Sequence, residues 1–215
     1  MNIAFLGYGN VGAPLADHLQ RTGHNVTLAA HDPHSASVQK AQSRNPNLIP
    51  TDPQSAVAQA EVVFLATPFS ANEAAIASVA QQLPGKIIVD CTNPVGPGLT
   101  HGLNNTQSGS QALQNLAPQS HIVKAFTIYG YENFENSAYP GYNVKPVMML
   151  CGNNSAAKQT VSQLAAQLGW DPLDVGGLEQ ALHLEHLTLL WIRMVRVHGA
   201  SPNIVWAALR RSTES

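Results

Sequence analysis

Residues 1–12, Met-Asn-Ile-Ala-Phe-Leu-Gly-Tyr-Gly-Asn-Val-Gly, decide the fold. An apolar run, Ile3 to Leu6, meets Gly7-Tyr8-Gly9-Asn10-Val11-Gly12, and a helical pattern opens at once with Ala13, Leu15, Ala16 and Leu19. Strand, glycine turn and helix in direct succession give a G-x-G-x-x-G spacing its meaning as a dinucleotide-binding turn. In that reading Gly7 permits the sharp turn off the strand, Gly9 lets a pyrophosphate reach bare backbone, and Gly12 lets the helix pack closely. The helix start adds unpaired N–H groups and a partial positive charge facing the phosphates. Gly7, Tyr8, Gly9, Asn10, Val11 and Gly12 are therefore expected to contact a nucleotide.

Outward from this unit, apolar β-rich runs alternate with helical stretches, the mark of a parallel α/β sheet. Strands are expected at Asn25 to Ala30, Ala60 to Ala66, Lys86 to Cys91, His121 to Ile128 and Pro146 to Cys151. Helices are expected at His34 to Arg44, Asn72 to Gln82, residues 155–168 and Leu178 to Val197. A last short helix would carry Val205, Trp206 and Leu209, and Thr92 to Ser110 reads as loop. The expected architecture is a Rossmann doubly wound parallel sheet over 1–152. A small, mainly helical part, 153–215, packs on it as one wall of a cleft in a single compact unit. Ligands of open α/β sheets bind at the carboxyl ends of the strands.

Composition narrows the function. The 215 residues carry a net charge of −2 with no basic stripe, which argues against nucleic acid as a partner. Only 11% are charged, against roughly 25% in typical globular domains, so amides and hydroxyls take over solubility. No 18-residue apolar run occurs and the first residues form a strand, so neither a membrane span nor a signal peptide is expected. Cys91 and Cys151 lie in apolar runs and read as buried free thiols of a reducing compartment, the cytoplasm. Leu182, Leu184, Leu187, Leu189 and Leu190 make the long C-terminal helix apolar on more than one face, which fits a homodimer.

NAD-preferring Rossmann proteins hold the ribose 2′-OH with an acidic residue at the end of strand two. Asp32 has the right count, but the strand ends near Ala30, whose small side chain leaves room for a 2′-phosphate. His31 follows as a donor to that phosphate. NADP is expected in preference to NAD, although no Arg or Lys stands at the spot and Asp32 must point away.

The chain resembles the NADPH-dependent reductases of the deazaflavin coenzyme factor 420, whose fold also appears in the cytosolic domain of the metalloreductases named for prostate epithelial antigen. Beyond the glycine loop, the resemblance runs through Ala66-Thr67-Pro68, Asp90-Cys91-Thr92-Asn93-Pro94 and Val123-Lys124-Ala125-Phe126. It continues in Pro146 to Gly152, Leu168 to Ala181 and Leu184 to Ile192, and so spans essentially the whole chain. It implies a cofactor site that includes Thr67, Pro68, Asn93, Pro94 and Ala125, with the nicotinamide near Ala125, Asn93 and Pro68. The hydride acceptor, a deazaflavin or flavin, would stack over it beneath the C-terminal helices. Two positions depart from the family pattern. His31 stands where Arg is usual, and Thr127-Ile128 where Asn-Thr is common, so a side-chain amide near the cofactor is expected to be missing.

Hydride transfer between two preassembled rings needs proximity and orientation more than acid–base groups, and proximity alone is worth on the order of 7–11 kcal/mol. No GxSxG or CxxC occurs. A small imine or carbonyl substrate would instead require a general acid, for which Lys124, His183 and His186 are the candidates. Lys124 alternatively snorkels from a strand end. His183 and His186 share a helix face, but no third ligand is spaced for zinc, and no metal is expected. Tyr129, Tyr131 and Trp191 are candidates for an aromatic wall. An NADP-binding sensor without turnover is the alternative from another class.

Overall fold

The computed structural model describes residues 1–211. The first strand, β1 (Asn2–Leu6), runs into α1 (Gly12–Arg21), which buries Leu15, Ala16 and Leu19. β2 (Asn25–Ala29), α2 (Ala36–Arg44), β3 (Ile49–Thr51), α3 (Pro53–Gln59) and β4 (Val62–Leu65) complete the first half. α4 (Asn72–Ala77), β5 (Ile87–Asp90), a short hairpin of β6 (Val95–Gly96) and β7 (Thr100–His101), α5 (Gly109–Leu116) and β8 (His121–Lys124) follow. The chain continues through α6 (Glu132–Glu135), β9 (Val147–Gly152), α7 (Ser155–Gln167), β10 (Asp171–Asp174) and α8 (Ala181–Ile192), which a π turn, Arg193–Val197, prolongs.

Eight strands form one sheet in the order β10-β9-β8-β5-β4-β1-β2-β3. All neighbours pair in parallel except β8 with β9. The order reverses direction at β1, which places the carboxyl ends of β1 and β4 at the crevice where such sheets take ligands. Central strands are covered on both faces, so they read as continuous apolar runs: Val62, Val63, Phe64 and Leu65 are all fully buried. Phe5 stacks on Phe64 at 4.7 Å between ring centroids, and Tyr129 on Trp170 at 5.2 Å.

Local chemistry sets the helix starts. The side chain of Asp52 accepts from Ser55 N with Pro53 at the first helical position, and Ser108 and Gln111 form a reciprocal capping box for α5. Asn154 caps α7.

Several regions depart from the sequence expectation. β3, α3, α5, α6 and β10 are additional to the expected elements, and the expected loop before Ser110 contains the β6–β7 hairpin. The expected strand over His121 to Ile128 stops at Lys124, because Phe126 turns to φ +53. No helix carries Val205, Trp206 and Leu209: residues 201–211 form an irregular strap. Its backbone groups are taken by other elements, with Val147 N donating to Trp206 O, Trp206 N to Tyr129 Oη, and Trp191 Nε1 to Ile204 O. Such tertiary bonds override a weak local helical pattern. The part 153–215 also gives β10 to the common sheet, and its last four residues lie outside those described.

Candidate functional site

The glycine turn has the geometry its spacing predicts. Gly7 sits at φ +92, and a Cβ there would lie 2.6 Å from the Ala66–Thr67 backbone. A Cβ on Gly12 would lie 2.1 Å from Gly7 O, so the close approach is between the start of α1 and the turn itself. Gly9 has open space above it, and a Cβ there would meet nothing within 4 Å. No side chain caps α1, so no side chain engages its first N–H groups.

A cleft of about 400 Å³ joins Gly7, Tyr8 and Gly9 to His31, Ser37 and Thr67. His31 is exposed at its edge. Asp32 is turned into its own loop, with Oδ1 accepting from His34 N at 2.8 Å, the usual Asx-turn use of such a side chain. Ser37 also borders a second groove, lined by Gly9, Asn10 and Lys40. Lys40, three positions after Ser37 on α2, is not among the residues expected from the sequence. The available signal is the i, i+3 spacing, which puts both on one face.

At the other end of the crevice lies a buried ion cluster. Asp90 and Lys124, the last residues of β5 and β8, stand opposite each other in register. Lys124 is 0% exposed, and its three N–H donors go to Asp90 Oδ2 (3.1 Å), Thr92 O (2.5 Å) and Glu185 Oε1 (2.9 Å). Asp90 also accepts from Thr92 N, Thr92 Oγ1 and Ser110 Oγ. Glu185 also accepts from Gly109 N and His101 Nε2. The Nδ1 atom of His101 accepts from the backbone of Leu103 and Asn105, which leaves the proton on Nε2. Every hydrogen-bonding group of the cluster is used. Burial pulls the Lys124 ammonium downward, but Asp90 and then Glu185 outweigh it and hold it above the usual lysine range. The cluster reaches the cleft beside the glycine turn through Thr92 Oγ1, which accepts from Asn72, and Asn72 Oδ1, which accepts from Thr67.

Lys124 therefore neither snorkels to solvent nor offers a free proton to the cleft. Ala125 follows it at the correct end of the sheet, but its methyl group is fully buried in the core, so that side chain does not meet a ring in the crevice. Asn93 is half-buried and Pro94 buried just beyond β5, while Thr67 is half-buried and Pro68 exposed beyond β4. His183 and His186 are both exposed on α8, and His186 is bonded to Asn105. Among the described residues no group of three His, Cys, Asp or Glu side chains is arranged to hold a metal.

The aromatic wall is not assembled. Tyr129 and Trp191 are core residues, 4% and 1% exposed, and Tyr131 alone reaches the surface. Cys91 and Cys151 are buried and unpaired. Burial pushes the Cys91 thiol well up and the Cys151 thiol up to about 12. No helix of the described residues is long and apolar enough to cross a membrane.

The chain is similar to several known proteins. The family model described as NADP oxidoreductase coenzyme F420-dependent matches residues 2–94. The F420-dependent NADP reductase of Methanocaldococcus jannaschii is 26% identical over 89% of this chain and 91% of its own length. Metalloreductase STEAP3 of Rattus norvegicus is 31% identical over 87% of this chain, which spans only 36% of that relative. The crystal structure of a protein from Arthrobacter sp. FB24, assigned as an F420-dependent NADP reductase, superposes with a TM-score of 0.85. It is 29% identical and covers 98% of this chain and 100% of its own.

Proposed function

We propose that this chain, which is similar to the coenzyme F420-dependent NADP oxidoreductases, is an NADP-dependent oxidoreductase that passes hydride between NADP(H) and a flat redox partner, a deazaflavin first and a flavin second. The observation that carries the reading is the single cleft that brings the open face of Gly9 together with His31 and Ser37. When bound, the dinucleotide supplies the hydride. The chain's own residues hold and aim it. The backbone of Gly9 to Gly12 and the uncapped start of α1 receive the pyrophosphate. His31, Ser37 and Lys40 surround the ribose 2′-position, and Asp32 turns one carboxylate oxygen to His34 N in its own loop. Asn93, Pro94, Thr67 and Pro68 border the ring end, with α8 and the described residues around it as the opposite wall.

A carbonyl or imine reductase needs a proton donor at the ring, and the closed bonding of Lys124 weighs against that role. The two buried thiols support a reducing compartment, the cytoplasm. The exposed Leu190 and Val197 support a homodimer through the α8 face.

The test is loss of NADPH absorbance with a deazaflavin, a flavin and a ferric chelate in turn. Protein-dependent oxidation by the ring acceptors, fastest with the deazaflavin, is expected. Tight binding without turnover by any acceptor would leave a nucleotide sensor instead.

Cofactor preference is a separate expectation. A charge-assisted hydrogen bond contributes about 1.5–3 kcal/mol, so the His31→Ala/Lys40→Ala variant should bind NADPH at least roughly tenfold more weakly, with NADH affinity nearly unchanged. Equal losses for both cofactors in calorimetry would remove these side chains from the 2′-phosphate site.

A further inference from the structure

Thr127, just beyond β8, stands beside the side-chain amide of Asn93, just beyond the neighbouring β5. The Oγ1 atom of Thr127 lies 2.6 Å from Asn93 Oδ1 and 3.3 Å from Thr188 Oγ1. Thr188 Oγ1 lies within hydrogen-bond reach of the carbonyls of Thr127 (2.9 Å) and Leu184 (3.0 Å), so its own proton goes to a carbonyl. The Thr127 proton then has two acceptors to choose between, and the shorter contact wins. A separation of 2.6 Å suits O–H···O and is short for N–H···O, which has its mode near 2.9–3.0 Å. The oxygen of the Asn93 side chain therefore faces Thr127. Its Nδ2 group, with two N–H donors, has no acceptor among the described residues, and Asn93 is half-buried just beyond the carboxyl end of β5.

The Asn93 backbone is held as firmly as its side chain. The preceding carbonyl, Thr92 O, accepts from the buried Lys124 ammonium. Pro94 follows, and its own carbonyl accepts from Gly102 N across the hairpin. Backbone and side-chain oxygen are thus both tied, and the remaining freedom of the residue is the direction its N–H pair already has.

We infer that Thr127 is a positioning residue that, through Asn93 Oδ1, turns the Asn93 amide into a fixed hydrogen-bond donor for a carbonyl oxygen on the ring bound beside it, the carboxamide of the nicotinamide. This rests on the proposed use of the cleft for NADP. Fixing the carboxamide fixes the ring plane, and misplacement of reacting atoms by about 1 Å costs on the order of 100-fold in rate.

The test uses Thr127→Val, Thr127→Ser and Asn93→Asp. Valine keeps the volume and deletes the hydroxyl, and serine restores it. Aspartate still accepts from Thr127 but presents an acceptor, not donors, to the ring. Single-turnover hydride transfer should fall about tenfold in Thr127→Val and by at least as much in Asn93→Asp. The affinity for NADPH should change less than about threefold in Thr127→Val, and Thr127→Ser should recover most of the rate. The double variant should be no slower than Asn93→Asp alone, since both act through one donor.

A readout independent of turnover is the side-chain amide resonance of Asn93 in 15N-labelled protein. It should shift on adding NADP+ in the parent and in Thr127→Ser, and much less in Thr127→Val. Should Thr127→Val fail to fold, Asn93→Asp and the parent resonance still decide. An Asn93 signal indifferent to NADP+ in a parent that binds it would overturn the inference, as would losses that multiply. A parent that does not bind NADP+ at all would instead overturn the proposed function.

Discussion

Replacement of Lys124 by Met should cost about 3–5 kcal/mol of stability, because it leaves Asp90 and Glu185 buried without their common counter-ion. For a chain of this size each kcal/mol shifts the melting temperature by roughly 2–4 °C, so a drop of about 6–20 °C is expected. The pH dependence carries the sign. The Lys124 pKa is raised in the fold above the ordinary lysine value of 10.5. Its contribution is therefore fully present below pH 10.5 and is lost as pH rises toward the folded value. The parent should show this alkaline loss, and Lys124→Met should lack that component. The triple variant Asp90→Asn/Lys124→Met/Glu185→Gln should regain part of the stability, since no uncompensated charge remains. Thermal melts of the three proteins across neutral and alkaline pH make the measurement. A Lys124→Met variant as stable as the parent would mean the carboxylates carry no buried charge. A large loss of turnover at unchanged stability would make Lys124 a proton donor after all.

That cluster also marks the limit of what a linear pattern reveals. The first unit is legible because everything that specifies it is local: an apolar run, three glycines at fixed spacing and an amphipathic stretch. Asp90 and Lys124 both lie within family-like segments, each closing an apolar strand, but their pairing depends on β5 lying beside β8 in one register. A carboxylate ending one buried strand and a lysine ending another are a signal for such a pair. Glu185 comes from 61 residues beyond Lys124, and His101 from a hairpin too short to read. The segment around β3 and α3 carries a cap signal, Asp52-Pro53, before a helix of only seven residues. The strap after Pro202 reads as helix in isolation because its stabilising partners, Tyr129, Val147 and Trp191, are all distant in sequence.

The glycine loop separates binding from folding more sharply than any other part of the chain. Gly9→Ala places a methyl where nothing lies within 4 Å, so the melting temperature of the free protein should stay close to that of the parent. The same methyl fills the approach to the backbone N–H groups at the start of α1. Losing one charge-assisted bond to a phosphate there costs about 2–3 kcal/mol, or roughly 30- to 150-fold in NADPH affinity. Gly12→Ala differs in kind. Its methyl would sit 2.1 Å from Gly7 O, a backbone atom that no side-chain rotation can move. The helix must shift, at about 1–3 kcal/mol for an overpacked contact, and the aligned N–H groups shift with it. Calorimetry with NADPH and melts without it should therefore show affinity alone falling in Gly9→Ala, and affinity and stability falling together in Gly12→Ala. A Gly9→Ala protein that binds NADPH as tightly as the parent would place the nucleotide away from this loop.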